Sequence, residues 1–185
     1  MVGDALQRVL AAFDKLELRY AAGGSVASSL RGNYRQTNDV DFLVEMRPDQ
    51  VVEFVRLLGP EFYADPEALT AAFQRGRPYN VIHQRSAFKF DLFPAAGSFA
   101  SSELDRRTYA ELDFFGDKIE LAAVSAEDAL LAKLRWFRLG GESSEQQWRD
   151  MMGIVAIQGG RLDQHYLRLW AKELGVEDLL NRVLG

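Results

Sequence analysis

Apolar residues recur at three-to-four spacing in Leu6, Val9, Leu10, Phe13 and Leu16, which predicts an amphipathic helix over about residues 4–16. Residues 18–22 then read as a strand. It runs straight into Gly23-Gly24-Ser25, and the small-residue run 26–30 suits a short helix whose N-terminus lies at those glycines. The period changes at Asp39. Val40, Phe42 and Val44 alternate with Asp39, Asp41 and Leu43, the two-residue repeat of a strand. Pro48 opens a third helix carrying Val51, Phe54, Val55 and Leu58, which Gly59-Pro60 ends. A helix over about residues 66–74 follows, then two strand-like runs, 79–84 and 87–93, close enough in sequence to form a hairpin. Gly97, Ser98, Ser101 and Ser102 read as a loop, and residues 109–114 with 118–124 as a second hairpin about Gly116-Asp117.

From Ser125 onward the repeat is helical. Ser125 and Asp128 resemble a capping box, Leu130, Leu131, Leu134 and Phe137 form an apolar stripe, and Gly140-Gly141 stops it. Two more helices are expected over residues 145–157 and 163–174, the second with Leu162, Tyr166, Leu169 and Trp170 on one face, and a short last helix follows Gly175. The expected fold class is α+β. A mixed sheet flanked by helices fills residues 1–124, and a helical bundle, residues 125–185, packs on it.

A chain of 185 residues with 48% hydrophobic composition can bury one real core. Lys and Arg number 22 against 27 Asp and Glu, for a net charge of −5, so no global positive field advertises a nucleic-acid coat. The lack of cysteine excludes disulfides, thiolate metal sites and cysteine nucleophiles, and fits residence in the cytoplasm. No apolar run approaches the roughly 18 residues of a membrane span, so no membrane partner is expected.

Candidate chemistry gathers on the strand at Asp39. Two carboxylates two residues apart project from one face, while Val40 and Phe42 anchor the other. That arrangement suits hard cations. Mg²⁺ prefers carboxylate oxygens, and two such ions roughly 3.5–4 Å apart stabilise both the attacking and the leaving oxygen of phosphoryl transfer. Asp91, flanked by Phe88, Phe90, Leu92 and Phe93 on another strand, is the candidate third ligand and the group that helps deprotonate an acceptor hydroxyl. Alone, an aspartate pair on a strand is most often a solvated face, and Gly-Gly-Ser most often a turn. Their conjunction changes the weighing. At a strand-to-helix junction, glycines let backbone amides approach an anion, and the Ser25 hydroxyl can donate to a phosphate.

A Gly-Ser dipeptide, an Asp-hydrophobic-Asp strand after 13 intervening residues and a later hydrophobic-Asp-hydrophobic strand together resemble the nucleotidyltransferase superfamily that includes DNA polymerase beta. The run Arg35-Gln36-Thr37-Asn38-Asp39-Val40-Asp41 is similar to the Arg-x-Thr-x-Asp-x-Asp of the AbiEii-like branch, which contains toxin components of toxin–antitoxin and phage-resistance systems. Lys133 on its helix and Arg149-Asp150 look like that branch's downstream motifs. The resemblance spans roughly residues 18–150. It implies transfer of a nucleoside monophosphate from an NTP to a hydroxyl of RNA, tRNA or a partner protein. Asp39, Asp41 and Asp91 would be catalytic residues and ligands of two Mg²⁺, with Mn²⁺ a substitute. Gly23, Gly24, Ser25, Arg35 and Lys133 would bind the nucleotide. The rival expectation is a nucleotide- or partner-binding module that keeps the fold without turnover.

Other residues read more plainly. Lys133 is equally a snorkelling surface lysine, and Arg75, Arg77, Arg85 and Lys89 are more often solvated loop charges than an RNA track. Trp136, Trp148 and Trp170 suit core or interface anchors rather than base-stacking platforms. Arg149 and Asp150 suit a structural ion pair.

Overall fold

The first apolar stripe folds as helix α1 (Val2–Lys15), where Leu6, Val9 and Phe13 are fully buried and Phe13 meets Tyr20 of the first strand, β1 (Arg19–Ala22), at 4.8 Å between ring centres. The chain continues through α2 (Gly24–Arg31), β2 (Asp39–Glu45), α3 (Pro48–Leu58), β3 (Phe62–Tyr63), α4 (Pro66–Gln74), β4 (Tyr79–His83) and β5 (Phe88–Pro94). Then come α5 (Gly97–Asp105), β6 (Thr108–Phe114), β7 (Asp117–Ala123), α6 (Ala126–Leu139), α7 (Glu145–Gln158), a 3₁₀ turn, α8 (Gln164–Glu173) and α9 (Glu177–Leu184). In the computed structural model, which describes residues 2–31 and 38–185, the strands form one mixed sheet in the order β3-β4-β5-β2-β1-β7-β6. The expected α+β architecture, a sheet flanked by helices with a helical run after it, is what the chain adopts. Among the described residues no helix is long and apolar enough to cross a membrane.

β2 is central, antiparallel to β1 and parallel to β5, and its two faces carry the two-residue pattern read from the sequence. Val40, Phe42 and Val44 turn toward α1 and α3, where Phe42 meets Phe13 edge-on at 5.2 Å. Asp39, Asp41 and Leu43 turn the other way. On that side Ala21, Ala27, Phe99 and Leu104 share a second core with Leu130, Leu134 and Leu180 of the later helices. The helical run therefore lies over the face that bears the aspartates.

Two elements depart from the sequence reading. The serine-rich segment read as a loop is helix α5, because Phe99, Ala100 and Leu104 fall on one side and are buried, and burial outweighs modest helix propensity. Strand β3 is two residues long, below what periodicity can register, and it forms by pairing Phe62 and Tyr63 with β4.

Buried polar groups fasten this helical layer. The Ser125 hydroxyl accepts the Asp128 N–H at the start of α6 and lies 2.6 Å from Asp128 Oδ2, while the Tyr166 hydroxyl donates to Asp128 Oδ1 at 2.5 Å. Arg106 pairs with Glu127 at 3.1 Å and covers the Tyr166 ring at 3.9 Å. Glu103, only 9% exposed, is pushed up to about 8 by burial and then by the Asp128 charge, with Arg135 opposing. A carboxyl raised in the folded state contributes stability that is full below its unfolded pKa and lost as pH rises through the folded one. Stability should therefore fall between about pH 4.5 and pH 8, and Glu103→Gln should flatten that fall. Urea unfolding at pH 5, 7 and 9 measures it; an unflattened profile in the variant assigns the slope elsewhere.

Candidate active site

β1 ends at Ala22, and the Gly23 N–H donates to the Asp41 carbonyl at 2.9 Å, which ties the glycine turn to β2. Gly24 then takes φ +50°, the left-handed region where glycine carries no penalty. A Cβ at Gly24 would lie 1.7 Å from Asp41 Oδ2, so no larger residue fits while that carboxylate holds its place. Ser25 is half-buried in the first turn of α2. The N-terminal amides of the helix and the positive end of its dipole make such a turn receptive to anions.

Strand register assembles the rest. Asp41 stands directly opposite Asp91 of β5, and Asp39 opposite Lys89. Asn80 of β4 stands opposite Asp91 in turn, and its Nδ2 donates to Asp91 Oδ1 at 2.5 Å. Directly paired residues share a sheet face, so Asn80, Asp91 and Asp41 form one row across three strands, leading toward Gly24. Asp41 is pushed up to about 6 by burial first, then by the charges of Asp39 and Asp91, while Lys133 pulls it down. Both of the other predicted carboxylates thus act electrostatically on Asp41.

Lys133 reaches toward the row from α6, and it pairs with Asp150, which the sequence had assigned to Arg149. Its Nζ lies 2.9 Å from Asp150 Oδ2, with both side chains 12% exposed, and Asp150 Oδ1 accepts from Gln146 Nε2 at 2.7 Å. The expected Arg149–Asp150 ion pair does not form. Neighbours in a helix point about 100° apart, so Asp150 faces inward to Lys133 while Arg149 is exposed and approaches Gln146 Oε1 at 3.5 Å. Breaking a buried pair strands one charge. Asp150→Ala should therefore cost about 3 kcal/mol in urea unfolding, against about 0.5 kcal/mol or less for Arg149→Ala. Equal costs would contradict this pairing. Arg35 and Thr37 lie outside the described residues.

Comparison with solved structures places the fold. The solution structure of the antibiotic-resistance factor ANT(2'')-Ia is similar over 97% of this chain and 96% of its own, at 14% identity and a TM-score of 0.57. A nucleotidyltransferase-like protein from Paracoccidioides brasiliensis matches over 97% and 91% at 17% identity and a TM-score of 0.51. The lincosamide adenylyltransferase LnuA, bound to lincomycin, matches over 83% and 96%, also at 17% identity and 0.51. The fold is that of the nucleotidyltransferases. No protein-family model and no curated protein sequence matches the chain, so the narrower AbiEii-like branch rests on the motifs alone.

Within this nucleotidyltransferase fold, the carboxylate row suits a hard cation by its chemistry: anionic oxygens, partly buried, with Asp41 raised first by burial and then by neighbouring charges that a cation would neutralise. As the side chains stand, no three acidic or histidine groups among the described residues converge to chelating distance. Asn80 engages one Asp91 oxygen. Sequence reasoning missed Asn80, Lys89 opposite Asp39, and the inward role of Asp150. Of the three tryptophans expected as core or interface anchors, Trp136 is 53% exposed and so is not a core anchor. Trp148 and Trp170 do pack, against Phe137 at 5.7 Å and Phe99 at 5.2 Å. The basic residues Arg75, Arg77, Arg85 and Lys89 are all exposed.

Proposed function

We propose that this chain is a metal-dependent nucleotidyltransferase that moves a nucleoside monophosphate from an NTP to a hydroxyl acceptor and releases pyrophosphate. The observation that carries this reading is the register of Asp41 with Asp91, with the Gly24 turn pressed against the Asp41 carboxylate. Asp39 and Asp41 would hold two divalent ions, and Asp91 would serve one of them. When bound, Mg²⁺, or Mn²⁺ in its place, neutralises charge on the α-phosphate and on the leaving oxygen. The turn at Gly23, Gly24 and Ser25 receives the β- and γ-phosphates. Lys133, released from or shared with Asp150, adds positive charge beside Asp41, and Arg35 is a further phosphate ligand. Asp91 takes the proton of the acceptor hydroxyl as its oxygen bonds to the α-phosphorus. The bond from that phosphorus to the bridging oxygen breaks, and the electron pair leaves with pyrophosphate.

The acceptor is a hydroxyl of RNA, of a partner protein or of a small polyhydroxylated molecule. The last class is suggested by two similar structures: LnuA bound to lincomycin, and ANT(2'')-Ia in complex with adenylyl-2''-tobramycin, which matches at 15% identity over 92% and 94% with a TM-score of 0.51. The tRNA-directed, toxin-like version of the reading has its own readout, growth arrest on expression that Asp41→Ala relieves. A screen of α-labelled ATP, GTP, CTP and UTP with Mg²⁺ against total RNA, lysate protein and hydroxylated antibiotics tests all three classes. The expected result is one labelled product that vanishes in Asp39→Ala. Mg²⁺-dependent NTP binding without product from any acceptor would favour the non-catalytic module instead.

A further inference from the structure

The aromatic corner formed by Phe93 and Trp136 belongs to none of the roles above. Phe93 follows Asp91 by two residues on β5, so both side chains leave the same sheet face, about 6.6 Å apart along the strand. Trp136 follows Lys133 by three residues on α6, one turn further along the side that reaches Asp41. The two rings meet edge to face at 6.3 Å, Phe93 half-buried and Trp136 53% exposed. A tryptophan left half in water one helical turn from Lys133 presents an indole surface that the described residues leave partly open.

Resting on the nucleotidyltransferase reading, we propose that Phe93 and Trp136 form the subsite for the planar nucleobase of the NTP, with the base stacked on the Trp136 indole. Displacement at phosphorus is in line, so leaving pyrophosphate, α-phosphorus and incoming oxygen share one axis. With pyrophosphate at Gly24 and the proton acceptor at Asp91, that axis runs across the strands along the row Gly24, Asp41, Asp91, Asn80. The nucleoside is bonded to the phosphorus off this axis. Following β5 from Asp91 along the strand, across the axis, leads to Phe93, and Trp136 stands over it. The separation along the strand is about the reach of a ribose. Stacking on an indole tolerates any base and favours purines by their larger face.

The test titrates wild type, Trp136→Ala and Trp136→Phe with non-hydrolysable ATP and CTP analogues and with inorganic tripolyphosphate, each with Mg²⁺. Trp136 is exposed enough that Trp136→Ala should fold, and tripolyphosphate binding checks that its phosphate site is intact. The expected result is analogue binding about tenfold weaker in Trp136→Ala, largely restored in Trp136→Phe, with tripolyphosphate unchanged. Analogue binding that ignores Trp136→Ala overturns this inference and leaves the nucleotidyltransferase reading standing. A variant that binds analogue normally but raises KM for acceptor assigns the corner to the acceptor and likewise overturns it. A wild type that binds neither analogue nor tripolyphosphate overturns both.

Discussion

Asp41→Asn is expected to lose nucleotidyl transfer, with kcat/KM down at least about a thousandfold, while the metal-free protein becomes more stable. Both effects have one cause. Asp41 sits half-buried, with Asp39 and Asp91 acting on it and the Gly24 turn pressed against it, a place that penalises a bare carboxylate and that a cation would relieve. Its folded pKa, about 6, lies above the ordinary 3.8, so its ionisation destabilises the fold as pH rises through about 6. At about 1.4 kcal/mol per unit the full shift would amount to roughly 3 kcal/mol, and partial exposure and salt reduce that to about 1–2 kcal/mol. The variant should gain that amount at pH 7.5 and nothing at pH 4. Adding Mg²⁺ should stabilise wild type and leave Asp41→Asn unmoved. A variant that is less stable than wild type at pH 7.5 without metal would contradict the electrostatic account, whatever its activity.

Gly24→Ala carries the second large effect. The new methyl must occupy φ +50° and would sit 1.7 Å from Asp41 Oδ2, so both the turn and the carboxylate have to shift. Backbone strain alone costs about 1–2 kcal/mol. Displacing Asp41 by an ångström is enough to lower turnover about a hundredfold. A double-mutant cycle separates the two contributions. In an Asp41→Gly background the steric part disappears and only backbone strain remains, so Gly24→Ala should cost less there, with a coupling of about 1 kcal/mol or more. Additive costs would mean that the turn and the carboxylate do not press on one another.

The strand at Asp39 was legible because its pattern is local. Val40, Phe42 and Val44 alternate with the acidic residues, and alternation alone assigns the two faces. The glycine turn was legible for the same reason, since Gly23-Gly24-Ser25 punctuates a strand and opens a helix. What the chain hides is everything set by register between distant segments. Asn80 holds Asp91 only because Tyr79 pairs with Leu92, and no spacing in the sequence encodes that offset. Asp150 faces Lys133 because α7 crosses α6 at that point, whereas the adjacent Arg149 looked like the natural partner. Helix α5 was read as a loop because its serines speak against a helix and its burial is decided by neighbours. Trp136 was expected as a core or interface anchor, and at 53% exposed it is not a core residue. Its exposure is visible only once β5 and α6 stand side by side.

The most direct measurement uses one NTP labelled in turn at the α- and the γ-phosphate, with the acceptor found by screening, in Mg²⁺ or EDTA. Nucleotidyl transfer predicts that the α-label moves to the acceptor and the γ-label leaves as pyrophosphate, both only with Mg²⁺ and neither with Asp41→Asn. Transfer of the γ-label to the acceptor, or α-label transfer that persists in EDTA or in Asp41→Asn, would contradict a reaction centred on the Asp39, Asp41 and Asp91 carboxylates.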